Sequence, residues 1–284
     1  MNKAEYYLRL NKAIDFIEAN LDKTFSLSSV SKHAFSSLSH FHRIFYFMTG
    51  LTIKNYIRRR RLSNAGIQLL TTKRSIIDIS FEAQFDSPES FNKAFKKMFH
   101  LSPREFRKKR PEFQIMNKLE LQYNIHPKQP ENILLDFVYL PSQIIGGVKT
   151  RTTLENGQQT YDIPIFFEKV IQDKLLLYMP NVIDNKKLFG IYSDMSDEEE
   201  FDYTVGLLVE NTPAVKEKYV YHILPATEYA RFSVQGNARE LENAWRYIYG
   251  CWMPISGRSR QKGLDFEIYY SDKTDVYIPM ISQR

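Results

Sequence analysis

Two histidines one residue apart, His40 and His42 in "SLSHFHRIFYFMTG" (37–50), are the first residues whose types suggest chemistry. On a strand they could share a metal ion. On a helix each residue turns about 100°, so they lie about 200° apart and cannot. The surrounding residues decide for the helix. Phe41, Ile44, Phe45 and Met48 recur at i, i+3, i+4 and i+7, an apolar stripe that faces a core. Ser39, His42, Arg43 and Tyr46 carry the same spacing on the opposite side and are expected to face outward. An arginine there can pair bidentately with a guanine edge and a histidine can donate to an acceptor, so the chemistry becomes base reading. The plainer reading is a solvated face.

The helices that would position this face repeat. Leu10, Ala13, Ile14, Ile17 and Leu21 mark a first amphipathic helix, Leu27–Ala34 a second, and the histidine stretch a third. Thr52 caps a long fourth helix that ends near Thr71-Thr72. Ile76–Ala83, a turn "QFDS", the helix "PESFNKAFKKMF" and a last helix after Ser102-Pro103 follow. In both copies a short helix ends in alanine and a longer one carries Phe-x3-Phe, Phe41/Phe45 and Phe91/Phe95. Ser37 and Ser87 stand as N-caps, the second before Pro88. Two short helices joined by a tight turn describe a helix-turn-helix. In the second unit Ser90, Asn92 and Lys93, with Lys96 and Lys97 behind, form the outward set, next to a Glu89 that would repel phosphate. In "IRRRR" (57–61), Arg61 is expected to be partly buried and paired with a carboxylate, Arg58–Arg60 solvated or near phosphates.

Charge supports a polyanion for this half. Residues 1–113 hold 21 Lys and Arg against 10 Asp and Glu, while the remainder holds 18 against 23. With 284 residues, 43% hydrophobic and 25% charged, the chain suits two ordinary globular domains. No apolar run approaches the roughly 20 residues needed to span a bilayer, and the charged start has no signal-peptide core. A single cysteine, Cys251, permits no internal disulfide and fits a reducing cytoplasm. Three prolines in 111–130 mark a linker, assigned to 114–130.

"FHRIF…TG", "Y…R…A…LL", "IIDIS", "F…FKK.F" and "SPREFRK" together resemble the AraC/XylS-type bacterial transcription regulators over about residues 8–110. The resemblance implies seven helices and two recognition helices in successive major-groove segments of duplex DNA. It carries base-reading positions onto Ser39, His42 and Arg43, and onto Ser90, Asn92 and Lys93. Where the family's turns usually hold glycine, this chain has Phe35 and Gln84.

Beyond residue 130, period-two alternation takes over in "QIIGGVKTRT", "KLFGIYSD", "DYTVGLLVE", "EYARFSVQG", "DFEIYY" and "DVYIPMI", interrupted by helices at Ile163–Ile171 and Arg239–Trp252. "YLPSQIIGGVKT" and "ILPATEYARFSV" share a Leu-Pro and the following strand. The expected architecture is an all-α domain (1–113) with two helix-turn-helix units joined by a long helix. It is followed by an α+β domain (131–284) of two pseudo-symmetric strand–helix–strand–strand halves.

"AWRYIYGCWMPISG", "LDFEIYY" and "DVYIPMI" resemble the GyrI-like effector-binding domain, joined to the reader as in Rob-type regulators. The resemblance implies a ligand groove between the halves and places the pocket carboxylate at Glu267, with Thr204 as its first-half counterpart. A carboxylate among Trp245, Trp252 and tyrosines such as Tyr269 suits a cationic or amphipathic effector. The residues leave open that both tryptophans are core and Glu267 a paired surface acid. The expected function is a DNA-binding transcription regulator with a small-molecule effector and RNA polymerase as a further partner. Neither enzyme chemistry, cofactor nor metal is expected. The alternatives are a C-terminal hydrolase using Glu267 and Tyr269, or a ligand-free interaction module with its groove closed by packing.

Overall fold

The computed structural model describes residues 3–121, 129–213, 218–236 and 238–282. By contacts, residues 7–45 and 51–121 form one unit, and 3–6, 46–50 and 129–282 the other. The 114–130 stretch assigned as linker lies partly outside the described residues.

Seven helices, which apart from residues 3–6 and 46–50 lie in the first unit, open the chain: α1 (Lys3–Glu18), α2 (Leu27–His33), α3 (Leu38–Thr49), α4 (Ile53–Thr71), α5 (Ile76–Glu82), α6 (Pro88–Phe99) and α7 (Pro103–Lys109). Side-chain oxygens satisfy the orphan donors of the helix starts as the sequence suggests. His40 N reaches Ser37 Oγ at 3.3 Å and Asn55 N reaches Thr52 Oγ1 at 3.2 Å. Ser87 and Ser102 close reciprocal capping boxes with Ser90 and Glu105. The Phe-x3-Phe pairs are fully buried, Phe91 and Phe95 packing with Leu62, Leu69, Ile79 and Phe106. The turns at Phe35 (φ 51°) and Gln84 (φ 58°) adopt the left-handed conformation that glycine takes without strain.

The arginine run is used differently from expectation. Arg60, one turn after Tyr56, takes the carboxylate: its Nε and Nη2 donate to Glu18 at 2.9 and 2.7 Å, and Tyr56 Oη donates to the same group at 2.5 Å. Arg61 instead donates to the carbonyls of Leu21 and Lys23, where the chain leaves α1, and lies over Phe25. After α7 the chain runs extended along this unit. Met116 N donates to Ser63 Oγ (3.0 Å), Leu119 N to Tyr56 Oη (3.2 Å), and Leu121 exchanges two bonds with Asn11.

The second unit is one antiparallel sheet of eight strands: β1 (Ile133–Leu140), β2 (Gln143–Thr153), β3 (Val182–Ser193), β4 (Glu200–Val209), β5 (Val220–Leu224), β6 (Thr227–Gln235), β7 (Phe266–Tyr269) and β8 (Lys273–Met280). The spatial order β1-β6-β8-β7-β3-β4-β2-β5 reads the same from both ends once halves are exchanged. Helix α8 (Gln159–Gln172) interrupts the first half. In the second, α9 (Ala238–Tyr247) runs into a π turn (Ile248–Trp252) and a short α10 (Met253–Ile255). Each half therefore holds the expected strand–helix–strand–strand plus one strand ahead of it. That extra strand pairs with the opposite half, β1 with β6 and β5 with β2. The pseudo-two-fold axis falls between β3 and β7, where the candidate site lies.

Candidate functional site

On β7, alternation places Asp265, Glu267 and Tyr269 on the sheet face that carries α8 and α9. Phe266 and Ile268 pack in a core on the other face with Phe189, Ile191, Tyr229 and Tyr277. Glu267 is completely buried. Its Oε1 accepts from Trp245 Nε1 (2.6 Å) and Tyr192 Oη (3.0 Å), and its Oε2 from Tyr269 Oη (2.6 Å) and Tyr203 Oη (2.9 Å). Tyr203 and Tyr269 also approach one another at 2.7 Å. Two hydroxyl protons serve these three contacts, so two are hydrogen bonds at any moment. Burial, followed by the charge of Glu267, raises both phenols well above their ordinary range, which keeps them protonated donors.

An isolated buried carboxylate costs several kcal/mol unless its lone pairs are satisfied. Here four aromatic donors satisfy them, and among the described residues none of the ion pairs includes Glu267. Its neighbour Asp265 differs: Arg260 neutralises it, donating through Nη2 at 2.7 Å, and Tyr249 Oη donates to its other oxygen. The reading of Glu267 as a paired surface acid therefore fails.

Aromatic rings enclose the carboxylate. Trp245 stands edge-on to Tyr192 with centroids 5.4 Å apart and stacks on Tyr249 at 5.9 Å, while Phe167 of α8 packs on Tyr269 at 4.8 Å. Trp252 does not belong to this cage. It packs against Phe232 at 4.9 Å, and Phe232 lies two strands from Glu267, about 10 Å away. For Trp252 the core reading holds.

The counterpart of Glu267 is not Thr204. That residue points to the other face, where its hydroxyl lies 2.9 Å from His222 Nε2. Strand registers make Gly190 the counterpart, and Gly190 also sits directly opposite Glu267 across β3 and β7. The sequence carries the sign in "FGIY" (189–192) and "FEIY" (266–269). The same offset makes Tyr192 and Tyr269 mates, one for each carboxylate oxygen. A Cβ on Gly190 would lie 2.1 Å from Tyr203 Oη and 2.9 Å from Glu267 Oε2. One half contributes the acid and the other the empty space it occupies. Sequence reasoning missed Gly190, Tyr192 and Tyr203.

The expected DNA-reading residues divide. On α6, Ser90, Asn92, Lys93, Lys96 and Lys97 are exposed, and Asn92/Lys96 and Lys93/Lys97 are i, i+4 pairs on an open side. Ser90 spends its hydroxyl on the capping box, donating to Ser87 O at 2.8 Å. On α3 the outward expectation is not met: His42 and Arg43 are 0% and 5% exposed, Tyr46 is buried and Ser39 half-buried. Periodicity identifies the side of α3 opposite the Phe41–Phe45 stripe, but a helix's own pattern does not report what lies on its polar side.

Helix-turn-helix units in tandem, followed by a two-fold sheet built on a buried acid, define a class: AraC-type regulators with an effector-binding domain. A family model described as helix-turn-helix domain matches residues 30–109, and one described as integron-associated effector binding protein matches 136–280. Transcriptional regulator Rob of Salmonella typhimurium is 30% identical over 263 residues, 90% of this chain and 88% of that protein. The right origin-binding protein of Escherichia coli matches to the same extent. An uncharacterised HTH-type transcriptional regulator of Bacillus subtilis, YbfP, is 41% identical over 102 residues, 36% of this chain and 35% of its own. The chain belongs to the Rob-like family of transcription regulators, with an AraC-type DNA-binding domain and an effector-binding domain.

Proposed function

We propose that this regulator takes an organic cation at Glu267 and contacts DNA through two helices. The observation that carries the reading is a fully buried carboxylate held by four aromatic donors, with no cationic side chain in its hydrogen bonds among the described residues. A ligand reaches Glu267 by displacing part of the cage, and its positive charge then replaces hydrogen bonds while Trp245, Tyr192 and Phe167 supply cation–π and apolar contact. On DNA, Asn92, Lys93, Lys96 and Lys97 of α6 meet the groove and its phosphates. The α3 set, Ser39, His42, Arg43 and Tyr46, is the base-reading set of the first helix-turn-helix unit. RNA polymerase is the protein partner that promoter-bound regulation calls for, and the cytoplasm is where that promoter lies. Among the described residues no helix is long and apolar enough to cross a membrane.

A hydrolase built on Glu267 as general base is disfavoured by the same geometry, because both carboxylate oxygens are already engaged by Trp245, Tyr192, Tyr203 and Tyr269 and none is left facing a substrate water. The test is calorimetric titration of the full chain with benzyldimethyldodecylammonium and with an uncharged alcohol carrying the same dodecyl chain. Wild type binds the cation, and Glu267→Gln weakens that binding at least about tenfold, or 1.4 kcal/mol. Equal binding of the uncharged analogue, or unchanged binding by the variant, removes the carboxylate from recognition.

A further inference from the structure

Both helix-turn-helix units place a residue other than glycine at a left-handed turn, and the two positions use it differently. Gln84 ties its turn to the loop after α1: its Oε1 accepts from Thr24 Oγ1 at 2.8 Å and its Nε2 donates to the carbonyl of Asp22 at 2.7 Å. Those bonds offset the unfavourable backbone. Phe35 has the same φ but a ring 68% exposed, met by two cations: the Arg9 guanidinium at 5.4 Å from its centroid and Lys12 Nζ at 5.8 Å. A large apolar side chain in a costly conformation, turned to solvent, contributes little to the fold. Strain of this kind accumulates where it serves binding.

The ring borders a groove of about 460 Å³ lined by Lys12, Asp15, Phe16, Lys32, His33 and Phe35. Phe16 stacks on the His33 imidazole at 4.0 Å and 18°, giving an aromatic wall. The acid of the groove, Asp15, pairs with Lys118 Nζ at 2.5 Å, which leaves the positive charge of Lys12 and Lys32 uncompensated by it. The groove thus combines an apolar wall, an exposed phenyl ring and an excess of lysine. We infer that it docks an acidic protein segment bearing an apolar side chain, which enters against Phe16 and Phe35 while its carboxylates meet Lys12 and Lys32. Charge alone would also suit a phosphate backbone. A duplex backbone offers a protruding phenyl ring no apolar surface, so the ring favours protein.

The test uses the full chain and a short fluorescein-labelled peptide in which pairs of glutamates alternate with leucine, read by anisotropy beside a random-sequence duplex. Phe35→Gly suits the turn's φ and keeps the fold; Lys12→Glu reverses a rim charge. Each should weaken the peptide at least about tenfold while duplex affinity stays within about twofold of wild type. Failure of wild type to bind the peptide, or undiminished binding by Phe35→Gly, overturns the inference. Loss of duplex affinity by the same factor as peptide affinity overturns it too and makes the groove a DNA-backbone contact.

Discussion

Gly190 and Glu267 face each other where β3 meets β7, so the side chain of one occupies the room left by the other. Gly190→Ala introduces a methyl group into contact with a tyrosine hydroxyl and a carboxylate oxygen. Overpacking of this sort costs about 1–3 kcal/mol, and the expected outcome is a lower urea midpoint together with lost cation binding. A variant of wild-type stability would show that the cage yields more readily than its geometry implies. Glu267 was found through the resemblance of "LDFEIYY" to the effector-binding domain, which places the pocket carboxylate there. Its glycine counterpart was equally legible in "FGIY" and "FEIY", but a missing side chain attracts no notice in a search for matching chemistry. Tyr203 could not be found that way. It arrives from β4, and its mate in β8 by the same registers is Thr274, so no repeat marks it.

Elements whose signals are local were legible: the helix caps at Ser37, Thr52 and Ser87 and the Phe-x3-Phe stripes, while the left-handed turns at Phe35 and Gln84 were marked by the family resemblance. The extended run after α7 was not, because its partners are scattered. The backbone donors of Met116, Leu119 and Leu121 find Ser63 and Tyr56 on α4 and Asn11 on α1, residues separated from them by 53, 63 and 110 positions. What composition presents as a linker is, up to residue 121, a strap. Each such bond contributes about 0.5–1.5 kcal/mol net. A fragment ending at residue 121 should therefore be more stable than one ending at 113 by about 1.5–4.5 kcal/mol, measured by urea denaturation of the two. Equal midpoints would mean that the strap rests on α4 without stabilising it. Arg60 teaches the same lesson, since its bond to Glu18 depends on where α1 lies and not on the period of α4.

At the scale of the whole molecule, charge was the most dependable guide. The excess of 21 basic over 10 acidic residues falls within 1–113, and the exposed lysines of α6 belong to it. If Lys96 and Lys97 meet phosphates, each replacement by alanine should reduce the slope of log K against log salt by about 0.9. An unchanged slope in a filter-binding titration would remove that lysine from the interface. The order of the sheet was beyond the sequence. Alternation reveals strands and repetition reveals halves, but neither says which half a strand joins. β1 and β5 each join the wrong one, as though two protomers had exchanged arms before being fused end to end. The sequence repeat is therefore not a repeat of folding units. Cut out alone, either half would leave a long strand bare and a short one without its template, the condition in which edges find other chains. Loosening β5 at one rim would strip the cover from β2 in the opposite half, so the two halves must be gained, kept and lost together.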